Sequence, residues 1–495
     1  AGLAHIFHLA PLLLIAGGVA LGIVFGAIPG LSATMAVALF LPITFGMEPI
    51  PSIALLVSLF VGGISGGLVT AILINIPGTP SSIASTFDGF PMTQKGEPGR
   101  ALGIGILYSL LGSLMGCAVL FFLAPPLARV ALAFGTFEYF GISVFALTLV
   151  SGLSSGCLAR GLISVFLGLL LAMIGIAPID GYPRFTLGFP GLDAGLSLLP
   201  VLLGLFALSE VLKAAEASST AAPVVLPECT VPGFFGMTWH SFKSQVVNMI
   251  RSGAIGIGVG ILPGIGAGTS NLLAYTAAKN ASKHPEKFGT GVPDGIIASE
   301  TSNNSGIGAA MIPLLTLGIP GDTVTAMLLS GLLIHGIQPG PLLFTTNGDL
   351  VYSLFVALLT ASFFMILMLY FGMRGFVLML KIPKHYLLSV VTIMCVVGAF
   401  AVNNRMFDVY TLVTFGLIGY GMMRLRLPFA PLILGFILGP MIEQNLRSAL
   451  MMTQGSVLPF VERPIAALFL GLAAVYVAST ALRSLRRDRR MTKRP

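Results

Sequence analysis

Charged side chains are scarce in this chain of 495 residues. Lys and Arg number 26 and Asp and Glu number 18, together 9% of the sequence, whereas soluble domains contain about 25%. Hydrophobic residues make up 56%, which excludes an intrinsically disordered chain as well as a water-soluble globule. The apolar runs are continuous and about 18 to 25 residues long, the length of a helix that crosses a bilayer. The sequence therefore predicts an all-α polytopic membrane protein with roughly 10–14 spanning segments.

Cysteine is also rare. Cys117, Cys157, Cys229 and Cys395 lie far apart and show no metal-ligand spacing, so we expect buried thiols that pack as small hydrophobic side chains. The sequence has no Walker A pattern, no HExxH and no Gly-x-Ser-x-Gly with a plausible triad. ATP hydrolysis and proteolysis therefore have no basis in it. We predict no enzyme, no cofactor and no metal other than a coupling Na⁺.

Basic residues concentrate at one end of the chain. Residues 483–495 contain seven Lys and Arg and directly follow an apolar run at 464–482. Because positively charged segments stay on the cytoplasmic side of a membrane, this tail is predicted to be cytoplasmic rather than a nucleic-acid-binding arm.

Two stretches of the sequence recur later in the same order. GIVFGAIPGLSAT at 22–34 aligns without a gap on GIGVGILPGIGAG at 256–268, and VGGISGGLVTAILINIPG at 61–78 aligns on NSGIGAAMIPLLTLGIPG at 304–321. We therefore predict two related transmembrane units. An inverted arrangement leaves more Lys and Arg in the cytoplasm than a parallel one, so inverted-topology repeats are predicted. The predicted divisions are unit 1 at 1–215, a linker at 216–244, unit 2 at 245–455, a final helix at 456–482 and the tail at 483–495.

Each unit carries two Pro-Gly pairs inside apolar runs. Proline ends a helical hydrogen-bond ladder, glycine permits an unwound backbone, and residues that favour helix N-caps follow. The pattern predicts broken helices or re-entrant hairpins whose N–H ends face a cavity and bind an anion. The alternative is that each pair only kinks a packed helix. The predicted substrate-binding residues are Pro29, Gly30, Ser32, Thr34, Asn75, Pro77, Gly78, Thr79, Ser81, Pro263, Gly264, Gly266, Thr269, Asn303, Asn304, Ser305, Pro320, Gly321, Asp322 and Thr323.

The run ETSNNS at 300–305 is the densest polar stretch at the predicted membrane depth. Polar residues at that depth face a cavity or a partner helix and mark an ion or substrate path. Glu300 is either a proton or cation site or a charge at a helix end, and Asp322 is either an N-cap or a cation ligand. The predicted cation sites are Glu300, Asn304 and Asp322, for Na⁺ or H⁺.

No Lys or Arg lies in the middle of a Pro-Gly segment. Helix ends, hydroxyls, amides and co-bound cations would therefore have to balance the charge of an anionic cargo. This favours cation-coupled uptake, because an anion entering a negative interior is opposed by about 2.3 kcal/mol per charge per 100 mV.

The chain resembles the TctA family, the large membrane subunits of tripartite tricarboxylate transporters. The resemblance rests on GAIPGLSATMAVALFLPITF, ILINIPGTPSSIASTFDGFPMTQKG, and KHPEKFG leading into NNSGIGAAMIPLLTLGIPGDTVTAMLLSGLLIHGIQPGPLLF, and it covers about 10 to 480. It implies a multi-pass secondary transporter of the bacterial inner membrane, coupled to Na⁺ or H⁺, with an elevator-like movement. The implied partners are a small four-span membrane subunit (TctB-like) and a periplasmic solute-binding protein (TctC-like) that captures carboxylates such as citrate.

Rival functions come from other classes. The nearest is a stand-alone cation-coupled transporter of a non-carboxylate solute. A channel would conduct without a receptor protein, and a membrane enzyme would need a clustered catalytic set that the sequence does not offer.

Overall fold

The computed structural model describes residues 2–153, 157–216, 230–379 and 384–491. Nearly all of this part of the chain is helical. It contains nine helices that are long and apolar enough to cross a membrane, accompanied by five shorter apolar helices. The prediction of an all-α polytopic membrane protein is confirmed.

The first half of the described chain contains eleven helices and a two-stranded antiparallel sheet. A 3₁₀ turn at Leu41–Gly46 follows α3, and another at Pro80–Ser82 precedes α5. A π turn at Gly204–Leu208 joins α10 to α11. The helices are α1 Gly2–Ile6, α2 Leu9–Ala27, α3 Ala33–Phe40, α4 Pro49–Ile74, α5 Ile83–Gln94, α6 Pro98–Ala131, α7 Thr136–Leu153, α8 Leu158–Ala172, α9 Pro190–Asp193, α10 Leu198–Leu203 and α11 Ser209–Glu216, and the strands are β1 Gly175–Ile176 and β2 Pro183–Arg184.

The second half of the described chain contains twelve helices. A 3₁₀ turn at Pro285–Lys287 lies between α14 and α15. The helices are α12 Trp239–Ser244, α13 Val246–Ile261, α14 Ala267–Ala281, α15 Pro293–Leu317, α16 Thr323–Ile334, α17 Leu343–Thr346, α18 Gly348–Met379, α19 Lys384–Asn403, α20 Met406–Arg424, α21 Phe429–Met452, α22 Pro459–Glu462 and α23 Pro464–Met491.

All four Pro-Gly pairs interrupt the backbone helix. We name the interruptions in chain order: the first break is 28–32, the second 75–79, the third 262–266 and the fourth 318–322. The first two separate α2 from α3 and α4 from α5. The last two separate α13 from α14 and α15 from α16.

The two halves pack reciprocally. Within the halves, α4 lies along α2 and α15 along α13. Across the halves, α6 packs along α15 while its counterpart α18 packs on α4. In the same way α8 packs on α21, and α20 packs on α10 and α11. Each half therefore supplies helices that bury the other half's central helix, and α4 and α15 are the most enclosed elements.

Some predicted boundaries and environments differ from the structure. The apolar run at 160–178 has the length of one predicted span, but its helix ends at Ala172 because the chain then turns into the β1–β2 hairpin. Cys157 is exposed rather than buried, since it stands at the N-cap of α8. Cys395 is buried, Cys117 is half-buried, and Cys229 lies outside the described residues. Residues 217–229 of the predicted linker and the last four residues of the tail also lie outside them.

Candidate substrate and cation site

Each break leads into a capped N-terminus. Ser32 is the N-cap of α3, and its Oγ accepts a hydrogen bond from the Met35 backbone N–H at 3.1 Å. Asp322 is the N-cap of α16: its Oδ1 accepts from the Thr325 N–H at 2.7 Å, and Thr325 Oγ1 accepts from the Asp322 N–H at 2.8 Å. Gly266, with φ of 70°, begins α14. The Asp322 carboxylate therefore serves as a helix cap in this arrangement.

The helices before the second and fourth breaks end in the same way. Asn75 (φ 57°) closes α4 and Gly318 (φ 73°) closes α15, both in the left-handed region where Asn and Gly are tolerated. The Asn75 side chain is exposed, so its visible role is in the backbone turn. After the second break, Thr79 caps the 3₁₀ turn, and its Oγ1 lies 2.7 Å from Ser81 Oγ.

The four breaks meet in the interior. The hydroxyls of Thr34, after the first break, and Thr323, after the fourth, lie 2.9 Å apart. The third and fourth breaks are joined directly, because the Gly264 N–H donates to the Gly321 carbonyl at 2.8 Å. The second break is joined to α14, where Asn271 Nδ2 donates to the Pro80 carbonyl at 3.2 Å. Residues predicted from separate stretches of sequence thus come together.

Two equivalent glycine contacts bring the breaks close to the preceding helices. A Cβ on Gly78 would overlap the carbonyl oxygen of Gly26, and a Cβ on Gly321 would lie 2.8 Å from the carbonyl oxygen of Gly260. These pairs are counterparts in the repeat alignment. Small residues allow such backbone approach between membrane helices, so Gly78 and Gly321 are packing residues as well as break residues.

The cavity at the breaks is small. About 10 Å³ is enclosed between Gly264, Asp322, Thr323, Ala326 and residues of α21, which is space for about one water molecule. A larger cavity of about 290 Å³ lies elsewhere, between α8, α16 and α21, and is lined mainly by apolar side chains such as Leu171, Leu333 and Phe436. A carboxylate would reach the breaks only after these segments move apart.

A buried polar network lies behind the second break, centred on Glu300. The Glu300 side chain is fully buried. Its Oε1 accepts a short hydrogen bond from Ser85 Oγ of α5, and its Oε2 accepts from Ser109 Oγ of α6 at 3.0 Å and from Asn303 Nδ2 at 3.2 Å. Asn303 Nδ2 also donates to the Ser81 carbonyl at 3.0 Å. The network therefore connects α15 to the second break.

Asn304 extends the network toward α4. Its Nδ2 donates to Asn303 Oδ1 at 2.7 Å and to the Glu300 carbonyl at 3.1 Å. Its Oδ1 accepts from Ser65 Oγ at 2.7 Å and from Ser113 Oγ at 3.4 Å. Asn303, Asn304 and Glu300 thus form one cluster, as their adjacency in sequence predicts.

Ser305 and Thr269 take no part in this cluster. Ser305 Oγ donates to the Gly253 carbonyl of α13 at 3.1 Å, and Thr269 Oγ1 donates to the Ile265 carbonyl at 3.5 Å. The remaining predicted residues are prolines and a glycine within the breaks, which shape the backbone and have no side-chain hydrogen-bonding group: Pro29, Gly30, Pro77, Pro263 and Pro320.

Neither carboxylate of the site, the buried Glu300 or the partly buried Asp322, has a basic partner among the described residues. The ion pairs among the described residues include neither Glu300 nor Asp322. In the same part of the chain, no group of three or more His, Cys, Asp and Glu side chains is placed to hold a metal ion. A cation bound here would therefore depend on one carboxylate and neutral oxygens.

Sequence reasoning missed the serines that complete the network. Ser65, Ser85, Ser109 and Ser113 lie on three helices and are fully or almost fully buried. Their only signal in the sequence is a hydroxyl inside a mostly apolar helical run. Such residues are common in membrane helices, where they pack or bond to their own backbone.

A second buried carboxylate, Asp88, was also missed. It lies on α5 in the sequence FDGFP, and its Oδ1 accepts hydrogen bonds from three backbone N–H groups of the loop before α15, at Gly289, Gly291 and Val292. Its Oδ2 accepts from the Tyr275 hydroxyl at 2.9 Å. Asp88 therefore fastens the segment after the second break to the entrance of α15.

The fold and the site define a helical membrane protein with interrupted helices around a buried polar network. The model of the tripartite tricarboxylate transporter TctA family matches residues 12–434. The chain belongs to this family, and it is thus a subunit of a transporter of the tripartite type. Membership also implies TctB-like and TctC-like partners.

Two relatives from Agrobacterium vitis are similar over much of their length. The uncharacterized 52.8 kDa protein in the TAR-I ttuC' 3'region is 34% identical over 463 residues, which is 93% of this chain and 91% of the relative. The uncharacterized protein in the TAR-II ttuC' 3'region is 36% identical over 231 residues, 47% of this chain and 96% of the relative. No solved structure matches the chain.

Proposed function

We propose that this chain is the translocating subunit of an importer of carboxylates, tricarboxylates such as citrate or related organic acids, that uses cation symport with Na⁺ or H⁺. A periplasmic solute-binding protein would deliver the substrate. The protein would act in a bacterial inner membrane with its C-terminus in the cytoplasm. The observation that carries the proposal is the meeting of four helix breaks, represented by the Thr34–Thr323 hydroxyl pair, beside a buried carboxylate network.

The chemistry of the breaks suits an anion. The N-terminal ends of α3, α14 and α16 carry backbone N–H groups beyond the helical hydrogen-bond ladder and the positive end of the helix dipole. Ser32, Thr34 and Thr323 add hydroxyls at the same ends. Helix ends, hydroxyls and amides can thus supply the polar contacts that a carboxylate needs without an arginine.

Cation coupling follows from the charge balance. Desolvation is unfavourable for a buried carboxylate without a basic partner, and it is equally unfavourable for an anionic substrate in an apolar interior. A cation that binds with the substrate offsets one of these charges. It also offsets the membrane potential that opposes anion entry, about 2.3 kcal/mol per charge per 100 mV.

Inverted repeats and an elevator movement agree with the reciprocal packing. Short helices α3, α5, α14 and α16 follow the breaks, whereas α7, α8 and α21 pack mainly on one another and α20 packs on α10, α11 and α19. Movement of the break-bearing part against the outer helices would open the 10 Å³ cavity to a carboxylate. Alternating access about a site between repeats is the known use of this architecture.

Thr34→Val and Thr323→Val test the substrate site. Each variant keeps the side-chain volume and removes one hydroxyl. Loss of a hydrogen bond to a charged ligand weakens binding by about 1.5 kcal/mol or more, so the half-saturating concentration should rise about tenfold. The assay is uptake of a labelled carboxylate panel that includes citrate, by the complete transporter in liposomes, with and without its binding protein.

Thr411→Val is the matched control, because its hydroxyl donates to the Phe407 carbonyl at 2.9 Å within α20. Wild-type half-saturation in both test variants would remove the breaks from the substrate site. Uptake that needs no binding protein and ignores carboxylates would instead favour the stand-alone transporter of another solute.

A further inference from the structure

The Glu300 carboxyl lies in an interior that provides hydrogen bonds but no positive charge. The titratable groups on or directly beside the elements packed against α15 are Glu48 before α4, Asp88 on α5 and Lys95 after it, Glu97 before α6, Arg100, Tyr108, Cys117 and Arg129 on α6, Arg251 on α13, Tyr275 and Lys279 on α14, Asp294 on α15 itself, and Asp322 before and His335 after α16. None of these groups hydrogen-bonds to or pairs with the Glu300 side chain, whose partners are Ser85, Ser109 and Asn303. An ionised Glu300 would therefore be a desolvated charge without a counterion.

The orientation of Asn303 is determined by its neighbours. Its Nδ2 lies 3.0 Å from the Ser81 carbonyl oxygen, which can only accept a hydrogen bond. The same Nδ2 lies 3.2 Å from Glu300 Oε2. Turning the amide over would place Oδ1 against two acceptors, so the N–H₂ group must stand between Glu300 and Ser81.

The orientation of the Asn304 side-chain amide is determined in the same way. Its Nδ2 lies 3.1 Å from the Glu300 backbone carbonyl, another group that can only accept. Its Oδ1 therefore points the other way and is already used by Ser65 and Ser113. The amide oxygen of Asn303 is likewise used by Asn304 Nδ2 at 2.7 Å.

These orientations do not suit a sodium ion beside Glu300. A bound Na⁺ needs several oxygen atoms that direct their lone pairs to one point. Here the Asn303 N–H₂ group occupies the space between the Glu300 carboxylate and the Ser81 carbonyl oxygen. The amide oxygens of Asn303 and Asn304 are bonded elsewhere. A proton needs only one carboxylate oxygen and a neighbour that can reverse its hydrogen bond.

Ser85 is such a neighbour. Its Oγ donates to Glu300 Oε1 and lies 2.8 Å from Ser299 Oγ, where either hydroxyl can be the donor. When the carboxylate binds a proton, the new O–H can donate to Ser85 Oγ, and the Ser85 hydrogen turns to Ser299. Both protonation states of Glu300 are then fully hydrogen-bonded, and the proton balance is one carboxylate plus one H⁺ giving one neutral carboxyl.

We propose that Glu300 is the coupling site of this transporter and that the coupling ion it carries is a proton, exchanged through the Ser85–Ser299 hydroxyl pair. The inference rests on the proposed function, since it assigns the cation of the same symport. It assigns H⁺ rather than Na⁺ as the coupling ion, a choice that the sequence left open. Asn303 and Asn304 then have a positioning role around the carboxyl.

The test uses the complete transporter in sealed liposomes with the labelled carboxylate that the wild type transports. For wild-type protein, an inward proton gradient without Na⁺ should drive accumulation, and an inward Na⁺ gradient at equal pH should not. A pH indicator in the medium should report proton uptake together with the solute. Glu300→Gln, which resembles the protonated carboxyl, should lose accumulation to the background level but keep the exchange of internal for external solute.

Glu462→Gln is the control, because Glu462 is an exposed glutamate at the end of α22. It should retain both accumulation and exchange. Accumulation driven by Na⁺ alone, or proton-driven accumulation that persists in Glu300→Gln, would overturn the assignment. If Glu300→Gln does not fold, the wild-type gradients and the pH indicator decide the question. No movement of any carboxylate under either gradient in the wild type would instead overturn the proposed function.

Discussion

Replacing Asp88 should destabilise the protein more than any exposed carboxylate would. The Asp88 side chain is fully buried and accepts four hydrogen bonds: from the backbone N–H groups of Gly289, Gly291 and Val292, at 2.8 to 3.0 Å, and from the Tyr275 hydroxyl at 2.9 Å. Asp88→Ala would remove the acceptor of all four hydrogen bonds, including the buried one from Tyr275. The loop before α15 would then lose its attachment to α5.

The size of the effect follows from the number of donors. An unsatisfied buried donor costs about 1–3 kcal/mol, and the contributions of neighbours do not add in full. We therefore expect Asp88→Ala to lower the free energy of unfolding by about 2–4 kcal/mol. Asp88→Asn keeps an oxygen for the three N–H groups but loses the charge, and should cost about 1–2 kcal/mol. Tyr275→Phe removes one donor and should cost about 1 kcal/mol.

The measurement is the apparent melting temperature of the purified protein in detergent at one heating rate. The expected order of destabilisation is Asp88→Ala, then Asp88→Asn, then Tyr275→Phe, with the exposed Asp349→Ala close to wild type. Equal melting temperatures for Asp88→Ala and Asp349→Ala would refute the view that Asp88 fastens the loop.

Two further predictions concern packing and pH. Gly26→Ala places a methyl group against the Gly63 carbonyl and should destabilise the α2–α4 contact by about 1–3 kcal/mol. A methyl group at Gly17 in the same helix meets nothing within 4 Å, so Gly17→Ala should be neutral or stabilising. Melting temperatures of the two variants, measured in parallel, check this. The hydrogen bond from Arg447 lowers the pKa of Asp180 below its ordinary value of 3.8. Its contribution to stability is therefore complete above that value and is lost as the pH falls through the lower, folded-state pKa. The difference in melting temperature between Asp180→Asn and wild type should accordingly be present at neutral pH and shrink in acid, and a difference independent of pH would contradict it.

The sequence predicted the broken helices because their causes are local. Proline removes an N–H and obstructs the preceding turn, and glycine accepts backbone angles that other residues avoid. These effects do not depend on tertiary contacts, so the breaks at 28–32 and 318–322 could be predicted from the sequence alone. The clustering of Glu300, Asn303 and Asn304 was equally accessible, since residues three and four apart share a face of a helix.

The partners of these residues could not be predicted in the same way. Ser85 and Glu300 are 215 residues apart, and Asp88 and Gly289 are 201 apart. Such contacts depend on how α5 and α6 pack against α15, and hydropathy carries no information about that packing. The β1–β2 hairpin was missed for a different reason, because its apolar residues continue the hydrophobic run of α8.

The most direct test of the account is whether the transported carboxylate occupies the junction of the breaks. Ala326 lines the small cavity there. In a protein carrying Ala326→Cys, with Cys117, Cys229 and Cys395 changed to Ser, the exposed Cys157 serves as an internal reference. Saturating carboxylate should slow the reaction of position 326 with a membrane-permeant thiol reagent and leave that of Cys157 unchanged. Identical rates at position 326 with and without substrate, in protein that still transports, would contradict the account.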